Sequence, residues 1–422
     1  MMKLCSLISL VLLTFSSISN ALTNDEISFW EGDIAHFEKE LMKRHLNLFH
    51  TLSKEDFMDE VDKIKRNLPS LSHHEVVIEL MKLTRKVSDG HTSVPLWNQE
   101  KTLYPLEYNY LEGRFIVSKA PEKYTKLLGT ELVSIDKVET TEIYSKFAEI
   151  VPFVENSNSE RIRVSENVNN ATLLNSLHIS KNMQFANFIF REPSGGLTSI
   201  TIDAVSEDEL QSIEWHELSV LHPSRFFEEL DSVHSRRGLW AGFNKESKTA
   251  YIRIDDYPDL NNSIETFESI KTQLIAKGAK NLVIDLRNSY GGDLYVGLLW
   301  ASILSSIDTI DWLKGSYTLI SNKTFSAAMS NATQFKRLLN STLVGQPTGA
   351  RPNGFQDLGH FTLPNSKLVV TYSKRYYRFS DFDEKFVSPD IEIVVSIEDL
   401  RSNRDSTLQY LMRKFKEKNE NQ

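Results

Sequence analysis

Between Leu22 and about Val87 the apolar positions follow a helical rhythm: Ile34, Phe37, Leu41 and Leu48 recur at three- and four-residue spacing, with His45 on the same stripe. Phe57, Val61 and Ile64 repeat the pattern, and Ser72 before His73-His74-Glu75 reads as an N-cap with its acidic residue three positions on. The helix that follows runs through Val76, Ile78, Leu80, Met81 and Leu83 and is predicted to break at Ser88-Asp89-Gly90. From about Tyr104 to Asp203 the pattern changes to short strands: Phe115–Val117, Glu131–Ile135, Phe188–Phe190 and Ser199–Ile202, with a helix from Thr140.

Beyond Lys248 strands and helices alternate. Strands are predicted at Thr249–Ile254, Asn281–Leu286, Tyr317–Ser321 and Thr342–Val344, helices at Ile264–Ala276, Leu294–Leu304 and Ala327–Leu339, and late β structure at Lys367–Tyr372. That alternation argues for a mainly parallel sheet with helical crossovers. The expected organisation is therefore a leader at 1–21, a helical region at 22–98, a β-rich module at 99–205, a connector at 206–245 and an α/β domain at 246–415.

Charge narrows the function classes. With 48 Lys+Arg against 57 Asp+Glu the net charge is −9 over 422 residues, which repels nucleic-acid phosphates and anionic membranes. The single cysteine, Cys5, excludes an internal disulfide and a cysteine zinc site. Lys3, the apolar run Leu7–Phe15 and the small residues Ser19 and Ala21 read as a signal peptide cleaved before Leu22; the run is too short to span a bilayer, which takes about 20 residues. The expected location is the periplasm or the extracellular space. Of five Asn-x-Ser/Thr sequons one is Asn322, where a glycan would crowd Ser326, and this favours a bacterial periplasm.

Three segments carry candidate chemistry. In Asn281–Asp293 an apolar strand runs into Arg287-Asn288-Ser289-Tyr290-Gly291-Gly292, where paired glycines let main-chain N–H groups approach a bound group; the competing reading is a tight turn with an Asp285–Arg287 ion pair. In Asn322–Met329 a serine, Ser326, stands between a strand and a helix that begins with small residues, where free N–H groups favour a developing oxyanion; the competing reading is a plain N-cap. In Val87–Ser93 the turn residue His91 follows Asp89-Gly90. Neither a Gly-x-Ser-x-Gly elbow nor a His-Glu-x-x-His pair occurs, and His73-His74-Glu75 lacks metal-ligand spacing.

Taken in order, Asp89-Gly90-His91-Thr92, Asp285-Leu286-Arg287-Asn288 with Gly291-Gly292, Thr324-Phe325-Ser326-Ala327-Ala328, Val344–Gly349, Leu363–Ser366 and Ser388–Ile391 resemble the tail-specific (C-terminal processing) serine protease family over about residues 87–410. The resemblance implies an α/β fold: a Clp-protease/crotonase-like catalytic domain with an N-terminal helical region and a small β-rich, degenerate PDZ-like insert. It implies Ser326 as nucleophile and hydrolysis of polypeptide near C-termini, with no metal and no cofactor. The C-terminal processing branch takes a lysine as base, but Gly349-Ala350-Arg351-Pro352-Asn353 offers arginine, which does not deprotonate in proteins. The tricorn-like branch uses a histidine and a late carboxylate; His91 matches the first, and Asp383 or Glu384 the second, the spacing leaving both open. The oxyanion donors would be Ala327 with Gly291 or Gly292, and activity would rise through an imidazole pKa of about 6–7. The alternative is a catalytically silent peptide- or apolar-ligand-binding protein on the same scaffold.

Overall fold

The computed structural model describes residues 21–220, 223–231 and 238–420. The leader expectation, residues 1–21, lies outside this range except for Ala21. Three helices open the chain: α1 (Asn24–Arg44), α2 (Lys54–Asn67) and α3 (His73–Val87). The capping box read at Ser72 and Glu75 is present, and α3 ends on Ser88 in the left-handed conformation (φ 65°). An antiparallel sheet follows, built in chain order from β1 (Glu107–Leu111), β2 (Arg114–Pro121), β3 (Glu131–Ile135), β4 (Phe185–Arg191) and β5 (Leu197–Asp203). Between β3 and β4 lie α4 (Thr140–Ala148) and α5 (Ser157–Asn167). The polar face of α5 hid it from the hydrophobic pattern.

The second half is a sheet of seven strands. Its order is β7 (Glu228–Glu229), β8 (Leu239–Asn244), β9 (Thr249–Ile254), β10 (Asn281–Asp285), β11 (Ser316–Ile320), β12 (Thr342–Gly345) and β15 (Ile391–Glu392), parallel from β9 onward. Alternation along the strands decides the layers. Ile252 and Ile284 face α6 (Leu260–Ala276), α7 (Leu294–Ser305) and α8 (Ser326–Leu338), while Tyr251 and Val283 face the C-terminal helix α9 (Ser406–Glu420) through Leu408, Leu411 and Phe415. Tyr251, Val283 and Ile284 are fully buried, as a strand covered on both faces must be.

Two expectations change. Residues 206–245 are not merely a connector: β6 (Trp215–Glu217) pairs with β2, and β7 and β8 extend the large sheet. The helical region and the β-rich module also share one core, into which the hairpin of β13 (Asn353–Thr362) and β14 (Val369–Arg378) inserts Phe361, Leu363, Leu368 and Val370. That hairpin leaves the α/β half and lies beside the turn after α3, with Ser93 bridged to Thr371. No helix among the described residues is long and apolar enough to cross a membrane.

Candidate active site

Ser326 starts α8, at the carboxyl end of the parallel sheet. It is not the cap: the N-cap is Phe325, whose side chain makes no capping bond, and Ser326 is the first helical residue with φ +47°. A non-glycine residue held there stores strain, which ordinary capping does not need. The turn is fixed from the neighbouring strand connection: Phe325 N–H donates to Ser289 O (3.1 Å), Thr324 Oγ1 to Leu286 O (2.9 Å) and Ser321 Oγ to Arg287 O (2.5 Å). At Gly291 φ is 94°, and a Cβ there would lie 2.7 Å from Ala327 N, so only glycine lets the two main chains come this close. Ala327 N–H is one of the donors that a helix start leaves without a main-chain acceptor.

His91 reaches this serine from 235 positions away: its Nε2 is 2.9 Å from Ser326 Oγ. The ring stacks on Phe325 (centroids 5.7 Å apart), and the residue is 4 % exposed. Burial pushes its pKa down to about 4, outweighing the carboxylates of Asp89 and Asp357 and the facing backbone of Phe355, all of which favour the charged ring. The imidazole is thus a neutral group well below pH 6, lower than the ordinary range expected from the sequence.

The loop bearing His91 hangs on Asp89. One carboxylate oxygen accepts the N–H groups of His91 and Thr92 (2.9 Å each) and Ser373 Oγ (2.6 Å); the other takes Thr92 Oγ1 (2.8 Å) and His45 Nε2 (2.9 Å). These bonds hold the carboxyl well below the usual carboxylate range despite its burial. With His50, whose Nε2 is 3.7 Å from the same oxygen, Asp89 and His45 form a cluster with ligand-like spacing. It does not suit a metal. His45 Nδ1 accepts Asn47 N–H (3.0 Å), which leaves the proton on Nε2, and a ligating Nε2 must be bare while Nδ1 donates.

The expected late carboxylates are not at the imidazole. Asp383 and Glu384 are exposed, Glu384 accepts from Ser380 Oγ (2.9 Å), and His91 Nδ1 is buried with no hydrogen-bond partner. Their loop is anchored elsewhere, by Asn353 Nδ2 on Ser380 O and Phe382 O and by Asn156 Nδ2 on Lys385 O. Arg351 is held by its main chain, whose N–H donates to Glu155 Oε2 (2.8 Å). Asp285 and Arg287 do form the ion pair that was the competing reading of their segment (2.6 Å), joined by Asp405 (2.8 Å).

Sequence reasoning missed the flank contributed by α5. Arg163 lies 3.8 Å above the ring of Tyr290 and pairs with Glu166 (3.1 Å), which also accepts from the Tyr290 hydroxyl and pairs with Lys323 (3.2 Å). Glu166, Lys323 and Asn288 line a crevice of about 1060 Å³ between the β-rich sheet and the α/β half, whose walls do not include Ser326 or His91. A sequence signal existed in Tyr290, an aromatic residue directly before the glycine pair, but its partners are 124 and more positions away.

No protein-family model and no curated protein sequence matches the chain. Among solved structures, mature CPAF complexed with lactacystin superposes with a TM-score of 0.65 at 14% identity, over 92% of this chain and 98% of that one. Mature CPAF alone gives 0.64, at 14% identity over 92% and 97%. The likeness is one of fold.

Proposed function

We propose that the protein is an exported serine peptidase that cuts polypeptide chains with Ser326 and His91. The observation that carries this reading is the 2.9 Å contact between His91 Nε2 and Ser326 Oγ, made by a serine in strained backbone beside a free helix-start N–H. Neutral His91 takes the Ser326 proton as Oγ attacks the scissile carbonyl, and returns it to the departing amine. Water then releases the acyl group by the same proton path in reverse. The carbonyl oxygen turns towards Ala327 N–H and the Gly291-Gly292 main chain, where a donor contributes about 3–4 kcal/mol of barrier lowering. For Nε2 to accept, Nδ1 must keep its hydrogen; the backbone group that favours the charged ring is that of Phe355, and no carboxylate bonds to Nδ1. Arg351 has no part in proton transfer. The substrate is a polypeptide, cleaved near its C-terminus as in the family the chain resembles, and the β-rich sheet with α5 is the degenerate PDZ-like insert.

Fluorophosphonate labelling followed by mapping of the modified residue tests this: Ser326 should carry the label, and Ser326→Ala should take none. A second reading, a catalytically silent peptide- or apolar-ligand-binding protein, is favoured by the crevice whose walls exclude Ser326 and His91. A wild-type protein that binds peptide yet neither cleaves it nor takes the probe would decide for it.

A further inference from the structure

Glu155 sits in the segment joining α4 to α5, wedged between the two main chains that frame His91. Its Oε2 accepts Arg351 N–H at 2.8 Å, and its carboxylate lies against Gly90, the residue before His91, whose N–H favours the ionised form. The packing leaves no slack, since a Cβ on Gly90 would lie 2.6 Å from Glu155 Cγ and 2.5 Å from the Phe325 ring. On the other side, Gly354 lies 4.0 Å from Oε1 by the same measure. One carboxylate therefore ties the turn that carries the base to the segment entering the β13–β14 hairpin, the same hairpin whose Phe355 backbone faces the imidazole.

We propose that Glu155 is a titrating positioning residue of the Ser326–His91 site, its ionised form alone suiting both N–H groups and so setting the imidazole on the serine. The inference rests on the peptidase reading above. Two N–H groups favour the charged form, that of Arg351 through its hydrogen bond and that of Gly90 from beside it. A protonated carboxyl offers one good acceptor and one O–H, so one of the two donors then faces a hydrogen instead of a lone pair. The charged groups that act on it are Asp89 on the loop after α3 and the guanidinium of Arg351. Burial and the permanently ionised Asp89 push its pKa up to about 8, against the two N–H groups and Arg351.

The test is the rate of Ser326 labelling by a fluorophosphonate from pH 3.5 to 9.5, beside thermal melts at each pH. Wild type should rise in two steps, the first from His91 at about pH 4 and the second at about pH 8. The second step should be about tenfold or more, the scale on which small misplacements slow a reaction. Because the folded carboxyl keeps its proton up to about pH 8 while an unfolded one loses it at about 4.5, the stability from this group should be lost between about pH 4.5 and 8, and the melting temperature should show no further loss from it above that. Glu155→Gln should stay on the lower plateau and lose both the rate step and the stability step. A residue that is only structural would lower rate and stability at every pH and leave the steps in place. If the Gln variant does not melt cooperatively, Glu155→Asp takes its place and should keep a step with a lower plateau. A labelled wild type without the second step, a Gln variant that retains it, or an Asp variant without one overturns the role of Glu155 alone. A wild type that takes no label at any pH overturns the peptidase reading instead.

Discussion

The two halves of the site are held in opposite ways. The nucleophile is set by local main-chain geometry: Ser326 occupies φ +47° at the start of α8, tied by Phe325 and Thr324 to the connection that follows β10. The base is set by side chains gathered from distant segments: Asp89 grips the His91 turn and is gripped by His45 from the end of α1 and Ser373 from β14. A strained turn can be built from neighbouring loops of one sheet. A histidine on the far side of the interface needs long-range bonds, so its placement depends on the shared core of the N-terminal half. The two halves should therefore fail differently.

The largest effect should come from the strained position. Ser326→Gly should cost about three or more orders of magnitude in peptide cleavage. It should also raise stability by about 1 kcal/mol, because glycine tolerates the left-handed region that serine occupies at a cost. Paired rate measurements and urea melts check this; a destabilised glycine variant would break the claim that strain marks the nucleophile.

On the base side loss of stability should accompany loss of rate. Asp89→Asn removes a buried carboxylate that accepts five hydrogen bonds, and about 3 kcal/mol of stability should go with it. Urea melts of this variant beside Ser326→Gly would sharpen the contrast, one falling and the other rising.

Acidity probes the same half more gently. His91 is held neutral in the fold down to about pH 4, against 6.5 for a free imidazole. Protonation therefore favours the unfolded chain: the stability from this group is complete above pH 6.5 and is lost as the pH falls towards 4. The His91 step in cleavage should lie near pH 4, leaving the rate flat between about pH 5 and 6; a rate that instead rises through a step centred at about pH 6 to 7 would count against burial as the controlling cause.

The smallest effects are expected at Asp383 and Glu384. Neither bonds to His91, so alanine at either should change the cleavage rate by less than about threefold. A loss of a hundredfold at one of them would mean that the loop anchored on Asn353 and Asn156 moves onto the imidazole when substrate binds.

What the sequence determined by itself was whatever neighbours in the chain decide. The strand Glu131–Ile135, the strand Thr249–Ile254 and the Ser72 capping box appear where hydrophobic alternation and local capping chemistry put them. The glycine pair and the serine between strand and helix were legible for the same reason, as features of short turns. Helix α5 escaped because its polar run carries little periodic hydrophobicity, and β6 and β7 because strands of three and two residues leave almost no pattern. The tertiary structure alone decided which of the scattered polar residues meet. It brought His91 to Ser326, left Asp383 and Glu384 on an exposed loop, and closed Glu155 onto Gly90 and Arg351. Contacts across 65 to 235 positions depend on how two cores pack, and no local propensity encodes that.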